Sequence, residues 1–306
     1  MIQKIKTYVY RVFRQGELLH RTIAFIAGLA FVIAAGLSVG LYLYKKPATH
    51  QDFLHIAQTV AYALGLFTAS AAAAIAYRAQ RLKEVDATNK RFKEAVKSLR
   101  DGDVFVRVEG IFALKRLASN APNDEERQRA TDLLCGFLRE NLKYVPPKGD
   151  EKYKPLEKGI DHEAALDSLK RLREKHGDLY INLEHTDLAG MNFDFACFFN
   201  VNLFCANLEN ALFMSANLTG TVLSYAILTR AWLSDANLTD AWLVGADLVD
   251  AGLKGANLTG AMLYGANLDN AFIDDCSILP NEVLEKYEIV KSRLCRKVDE
   301  AAEDIV

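Results

Sequence analysis

Residues 239–271 read TDAWLVGADLVDAGLKGANLTGAMLYGANLDNA, with Leu at 243, 248, 253, 258, 263 and 268 and Ala two residues before each. Outward from this stretch the spacing holds: every fifth residue from Leu183 to Ile278 is Leu, Phe or Ile, which makes twenty pentads in register. A period of five fits neither a helix nor the simple alternation of a strand, and a fixed short period marks a solenoid. If three residues of each pentad are extended, the central one points inward, its neighbours point outward, and the other two turn a corner. Ala206, Ala211, Ala216 and their successors to Ala271 let the corner close, while Gly245, Asp250, Gly255, Gly260 and Gly265 tolerate the turn. Four corners close a square, so the twenty pentads predict about five coils stacked at roughly 4.8 Å.

The pattern resembles the pentapeptide-repeat family, whose A(D/N)LXX pentads build a right-handed four-sided β-helix. The resemblance covers Ile181 to Pro280 and departs from the family pattern at its start, where Ile181, Thr186 and Met191 replace the small residue. The Phe-rich stretch FDFACFFN, residues 193–200, suits an end coil. Members of the family include DNA-mimicking topoisomerase inhibitors, so the resemblance implies a scaffold and leaves function open.

At the other end of the chain, residues 22–44 and 53–77 carry no charge, each long enough to cross a hydrocarbon core of about 30 Å. Both are expected to be transmembrane helices. Lys4, Lys6, Arg11, Arg14 and Arg21 precede the first, and Arg78, Arg81, Lys83, Lys90, Arg91 and Lys93 follow the second, whereas the loop holds only Lys45 and Lys46. The positive-inside rule then places both termini in the cytoplasm of a bacterial inner-membrane protein. The run Arg78, Arg81, Lys83, Lys90, Arg91 and Lys93 is a candidate lipid-facing patch, with a solvated helix face as its alternative. Gly36 and Gly40, and Ala61, Gly65, Ala69 and Ala73, are small residues at helical spacing that would let the two helices pack as a hairpin.

Between these ends lies RFKEAVKSLRDGDVFVRVEGIFALKRLASNAPNDEERQRATDLLCGFLREN, residues 91–141, where apolar residues recur at helical spacing and DGD and SNAPND cut the stretch into three helices. Asn123 or Asp124 caps the third. This segment resembles the HEAT-like stretch of membrane-anchored pentapeptide-repeat proteins, with Arg107, Gly110, Leu114 and the FLRE near Phe137 at the positions of that subgroup's motifs. The likeness implies no activity. A proline-containing linker follows, then a helix capped by Asp161 whose Ala165, Leu169 and Leu172 could cover the first coil. After Pro280, the stripe Val283, Tyr287, Val290, Leu294 and Val298 predicts a helix that caps the last coil or pairs with a second copy.

The expected fold class is therefore mixed: two transmembrane α-helices, a small α-helical module, and a right-handed quadrilateral β-helix with helical caps. The segments are 1–21 (basic N-terminus), 22–44 and 53–77 (spans), 45–52 (external loop), 78–145 (helical module), 146–160 (linker), 161–177 (capping helix), 181–280 (solenoid) and 281–302 (C-terminal helix).

The overall charge of -2 hides a segregation, because residues 181–280 hold eleven Asp and Glu against Arg230 and Lys254. The five cysteines are odd in number and include no CxxC, so neither a disulfide framework nor a zinc site is indicated; Cys276 falls on an inward corner position. The histidines are scattered, and His185 with Asp187 reads as a solvated pair. No catalytic residue, cofactor or metal site is expected. Three NLT triplets at Asn217, Asn237 and Asn257 lie twenty residues apart and should stack as Asn and Thr ladders.

The same register gathers Phe204, Val222, Trp242, Val244, Met262 and Tyr264 outward on one face, with Leu212, Trp232 and Phe272 opposite. An apolar stripe of that kind marks a contact surface, for a partner or for the protein's own helices. The function this supports is a membrane-anchored, non-enzymatic scaffold or receptor for a protein partner, with the bilayer and a second copy as further partners and no direct nucleic acid. The alternative is an acidic DNA mimic that binds a topoisomerase.

Overall fold

A computed structural model describes residues 50–147, 153, 156–290 and 293–296. The chain divides into two compact units, residues 1–87 and 88–306. Its elements are helices α1 (His50–Leu99), α2 (Val104–Ser119), α3 (Asp124–Asn141), α4 (Ile160–Lys175) and α5 (Asn281–Lys286), and strands β1 (Tyr287–Val290) and β2 (Arg293–Arg296).

Among the described residues no helix is long and apolar enough to cross a membrane. This overturns the two-span fold class and the inner-membrane localisation built on it. Residues 53–77 form part of the helix α1, and lack of charge is not apolarity. Nine of those 25 residues are Ala, and His55, Gln58, Thr59, Thr68 and Ser70 further dilute the Leu, Ile, Val and Phe that favour hydrocarbon. The other expected span, 22–44, lies outside the described residues, as do the basic N-terminus and most of the loop.

The second unit begins with the end of α1, whose Phe92, Ala95 and Leu99 are buried. Asp103 caps α2 by accepting from the Phe105 N–H at 2.7 Å, and Asn123 caps α3 by accepting from the Glu126 N–H at 2.8 Å. Gly110 and Arg107 act as fasteners. Gly110 lets α2 approach α1 closely, since a Cβ there would lie 2.8 Å from Ser98 Cβ and 2.9 Å from the Ala95 carbonyl. Arg107 donates to Asp161 at 2.7 Å and to the carbonyls of Asp101 and Gly102 at 3.0 and 3.1 Å, tying the α1–α2 turn to α4. Asp161 is thus engaged away from the cap assigned to it. Helix α4 starts instead after Gly159, whose N–H donates to His162 Nδ1 at 2.9 Å.

The solenoid follows the pentad reading closely. Parallel bridges link the outward residue before each central one to its counterpart twenty positions on, from Asn182 with Asn202 to Gly252 with Phe272. The central residues Leu183 to Ile273 and the alanines Ala206 to Ala271 are buried. Each pentad from the one ending at His185 to the one ending at Asn270 turns at a left-handed residue, φ running from 53° at His185 to 72° at Gly265, and Asn, Asp and Gly dominate those positions because they adopt that region most readily. In the first coils Phe193 stacks on Phe213, ring centroids 4.6 Å apart, and meets Phe198 edge-on at 5.5 Å. The NLT triplets do form ladders: Asn217, Asn237 and Asn257 pair in sequence, and Thr219, Thr239 and Thr259 each donate to their own Asn at 2.6–2.7 Å.

The register slips once. Asn257 pairs with Ile278, one residue more than a full coil, because Asp274 gathers the N–H of Gly255 and Cys276 and the Ser277 hydroxyl into an extra turn. Ile278, expected inward as the last pentad centre, is therefore 52% exposed, and Leu279 packs against the core in its place. Cys276, expected in an inward corner, is exposed for the same reason.

Both ends are closed by residues that supply the hydrogen bonds a missing coil would have made. At the start, the Leu142 carbonyl accepts from the Asp187 N–H at 2.6 Å, Arg139 donates to the Asn182 carbonyl at 2.9 Å, and the buried Arg173 donates to the carbonyls of Leu179 and Phe199. At the finish, Glu282 accepts from the Leu263 N–H at 3.3 Å, the Tyr287 hydroxyl from the Leu268 N–H at 3.1 Å, and the Leu294 carbonyl from the Asn270 N–H at 2.8 Å. The stripe predicted as one helix over 281–302 is a short helix followed by a hairpin, β1 pairing antiparallel with β2. The sequence YEIV and the need for strand-like hydrogen bonds against the last coil favour extended chain there. Val283, Tyr287 and Leu294 are buried in this cap.

Leu238→Ala should lower unfolding free energy by about 2 to 5 kcal/mol through the cavity it leaves, measured by urea denaturation. Asp240→Asn, at an exposed corner with φ 55°, should change it by less than about 0.5 kcal/mol, because Asn adopts the left-handed region readily. Similar losses at both positions would contradict the register.

Candidate functional site

The face assembled from the register is present and open. Val222, Trp242 and Met262 follow one another along the solenoid axis by successive parallel bridges. Trp242 and Met262 are each 49% exposed and Tyr264 is 84% exposed, while Phe204, Val222 and Val244 are half-buried. Sequence reasoning missed the corner beside them. Tyr225, 58% exposed, holds a left-handed φ of 58°, and its ring lies across Gly245, where a Cβ would come within 2.7 Å of it. Phe204 meets that ring edge-on at 5.8 Å and His185 at 5.6 Å on its other side. Applying the twenty-residue register to corner positions as well as to strand positions would have revealed the extension. On the opposite face Trp232 is 58% exposed and stands next to Gly252 in its row.

His185 and Asp187 are not a solvated pair. Asp187 is fully buried on the first coil and accepts from the Tyr153 hydroxyl, from the N–H groups of Leu156 and Ala189 at 3.0 and 3.2 Å, from Asn207 at 3.1 Å and from Lys158 at 3.3 Å. The linker after the helical module is thereby strapped to the solenoid. Burial alone would raise the carboxyl pKa, but the Tyr153 hydroxyl, the two N–H groups and the Lys158 ammonium outweigh it and hold Asp187 below its ordinary range. Burial and the Asp187 carboxylate push the Tyr153 hydroxyl up, which keeps it a donor.

Other ionisable groups serve structure. Burial lowers the pKa of His162 and leaves its Nδ1 free to accept from Gly159, with its ring stacked on Phe137 at 5.7 Å. Burial pushes the Cys135 thiol up to about 12. A groove of about 840 Å³ in the helical module is lined by Arg91, Glu94, Glu109, Phe112, Arg116 and Glu126, charges of both signs around one aromatic ring. Among the described residues no group of three or more His, Cys, Asp or Glu could hold a metal ion. The basic run Arg78, Arg81, Lys83, Lys90, Arg91 and Lys93 is exposed along α1, where Arg81 donates to the Tyr77 hydroxyl at 3.2 Å and Lys90 lies 3.9 Å from Glu94.

The geometry defines a β-helical solenoid with capped ends and sorted faces. The family model described as pentapeptide repeats (8 copies) matches residues 202–240 and 233–270. Residues 202–270 thus carry the repeat of the pentapeptide-repeat family. Among solved structures it is similar to the pentapeptide-repeat protein Rfr23 from the cyanobacterium Cyanothece 51142, at 33% identity over 32% of this chain and 66% of that one, TM-score 0.22. It is similar to alr5209 from Nostoc PCC 7120, at 34% identity over 32% of this chain and 74% of that one, TM-score 0.19. It is also similar to HetL from Nostoc sp. strain PCC 7120, a protein involved in heterocyst differentiation regulation, at 28% identity over 33% of this chain and 56% of that one, TM-score 0.19. No curated protein matches.

Because the folded-state pKa of Asp187 lies below its unfolded value, its stabilisation is present at neutral pH and is lost as pH falls through about 4 and below. Asp187→Asn should destabilise the protein by on the order of 1 to 3 kcal/mol at pH 7 and should flatten the fall in urea midpoint between about pH 5 and pH 3. An equally steep fall in the variant would show that other carboxylates govern acid lability.

Proposed function

We infer that this protein is a protein-interaction scaffold that presents the Trp242 face as its contact surface. The observation that carries the reading is the open ladder of Trp242, Met262 and Tyr264 on a frame whose two ends are already capped. A rigid backbone lowers the ordering cost of binding, and aromatic residues with Met are the types enriched at the centres of interfaces. Well-exposed apolar residues stacked in adjoining rows form a patch rather than scattered single contacts.

The DNA-mimic alternative has less support. A duplex presents its phosphates at short, regular intervals along each strand. In this solenoid no row carries acids on consecutive coils: Asp247 stands between Ile227 and Asn267, Asp250 between Arg230 and Asn270, and Asp187 is buried. Glu209 is moreover paired with Arg230.

A photo-crosslinking residue in place of Tyr264 in the full chain, expressed in its native cells, should capture a partner. Trp242→Glu should abolish that capture without lowering stability by more than about 1 kcal/mol, because burying an unpaired carboxylate in the contact is costly while the folded monomer leaves the side chain exposed. Trp232→Glu on the opposite face should leave capture intact. Capture that survives Trp242→Glu, or is lost equally with both variants, would remove this face from consideration.

A further inference from the structure

The apolar ladder is enclosed by carboxylates on all four sides. Glu184 lies at the solenoid's start, one coil before Phe204 in the same row, and accepts from Asn202 at 3.1 Å. Glu282 lies at the far end, where it accepts from the Leu263 N–H at 3.3 Å and remains exposed. Asp240 occupies the corner two residues before Trp242, with φ 55°. Asp247 stands just past the opposite corner, three residues after Val244, and is held by the Thr229 hydroxyl at 3.1 Å and the Val249 N–H at 3.2 Å.

Among the described residues none of these four acids is in an ion pair. The two cations of residues 181–280 do not offset them. Arg230 is paired with Glu209 around the corner from the ladder, and Lys254 lies on the opposite face with Trp232. An aromatic centre with an acidic rim repels anionic partners and rewards a partner whose charges are positive and whose centre is apolar.

We propose that the Trp242 face receives a cationic, amphipathic segment of a partner protein, whose apolar side chains rest on Trp242, Met262 and Tyr264 while its Lys or Arg side chains reach out to Glu184, Asp240, Asp247 and Glu282. An arginine guanidinium can in addition lie flat on the Trp242 or Tyr264 ring. The inference rests on the scaffold reading of the same face and adds the chemistry of what that face selects.

The chain has two tryptophans, so in the full-length Trp232→Phe protein the emission reports Trp242 alone. The probes are two synthetic peptides of about 18 residues, one built from Leu and Lys as an amphipathic helix and one with every Lys replaced by Glu. The Lys peptide should shift Trp242 emission to shorter wavelength with saturation, and its affinity should fall about tenfold or more between 50 and 500 mM salt. Asp240→Asn with Asp247→Asn should weaken it by about fivefold or more, whereas Asp194→Asn with Asp235→Asn on the opposite side should leave it unchanged. The Glu peptide should give no shift.

Equal binding of both peptides, no shift with the Lys peptide, or equal losses in the two double variants would each overturn the proposal. Asn retains the shape of Asp and tolerates a left-handed corner, so the variants should fold, and the comparison of peptides needs no variant. If the Tyr264 crosslink captures a partner that Trp242→Glu releases but the captured segment is acidic or neutral, the scaffold reading stands and the cationic assignment fails.

Discussion

A coil of this solenoid can bury its leucines only while the coils on either side take up its backbone hydrogen bonds. Each side contributes just three extended residues, too few to form a stable strand alone, and cohesion comes from stacking. The inward Leu, Phe and Ile columns and the bonds between residues twenty apart are thus two aspects of one constraint. Every other feature of the second unit answers it. The alanines admit the corners, the left-handed residues turn them, and the unrelated segments at the two ends replace the absent neighbours.

Those end segments give a structural task to residues of the helical module that look like motif positions. Arg107 fastens the α1–α2 turn to α4, Gly110 permits the close crossing of α1 and α2, and Arg139 donates to the first coil. At the finish, Glu282, Tyr287 and Leu294 do the same with a side-chain carboxylate, a phenol and a strand. With the ends closed, the sides are what remain to present to a partner. The Trp242 face, from Phe204 to Tyr264, is apolar and open, whereas the Asn and Thr ladder around Asn237 satisfies itself.

The pentad makes the solenoid, its twenty-residue coil and the members of the Trp242 face legible in the sequence, because one short period sets both the inward and the outward rows. What escaped were departures from that period and contacts between distant segments. Ile278 and Cys276 look like ordinary pentad positions, and only the turn centred on Asp274 shows that the frame has slipped. Asp187 looks like any outward acid, and nothing in its neighbourhood announces that Tyr153 and Lys158 will cover it. The stripe after Pro280 has helical spacing, yet hydrogen-bonding demand at the last coil turns it into a hairpin. In residues 53–77 the error was one of degree, since counting charges overlooked how much of the segment is Ala, Thr, Ser, Gln and His.

The central claim is that the solenoid is closed at both ends by its own chain and therefore offers only its sides. Amide hydrogen exchange on the full-length protein tests this most directly. Closure predicts that the amides of Leu263, Leu268 and Asn270, and that of Asp187 at the start, exchange as slowly as those of the interior coils around Leu223 and Leu238. Fast exchange at the terminal amides beside slow exchange in the middle would mean open ends, and would make those ends, rather than the Trp242 face, the surface available to a partner.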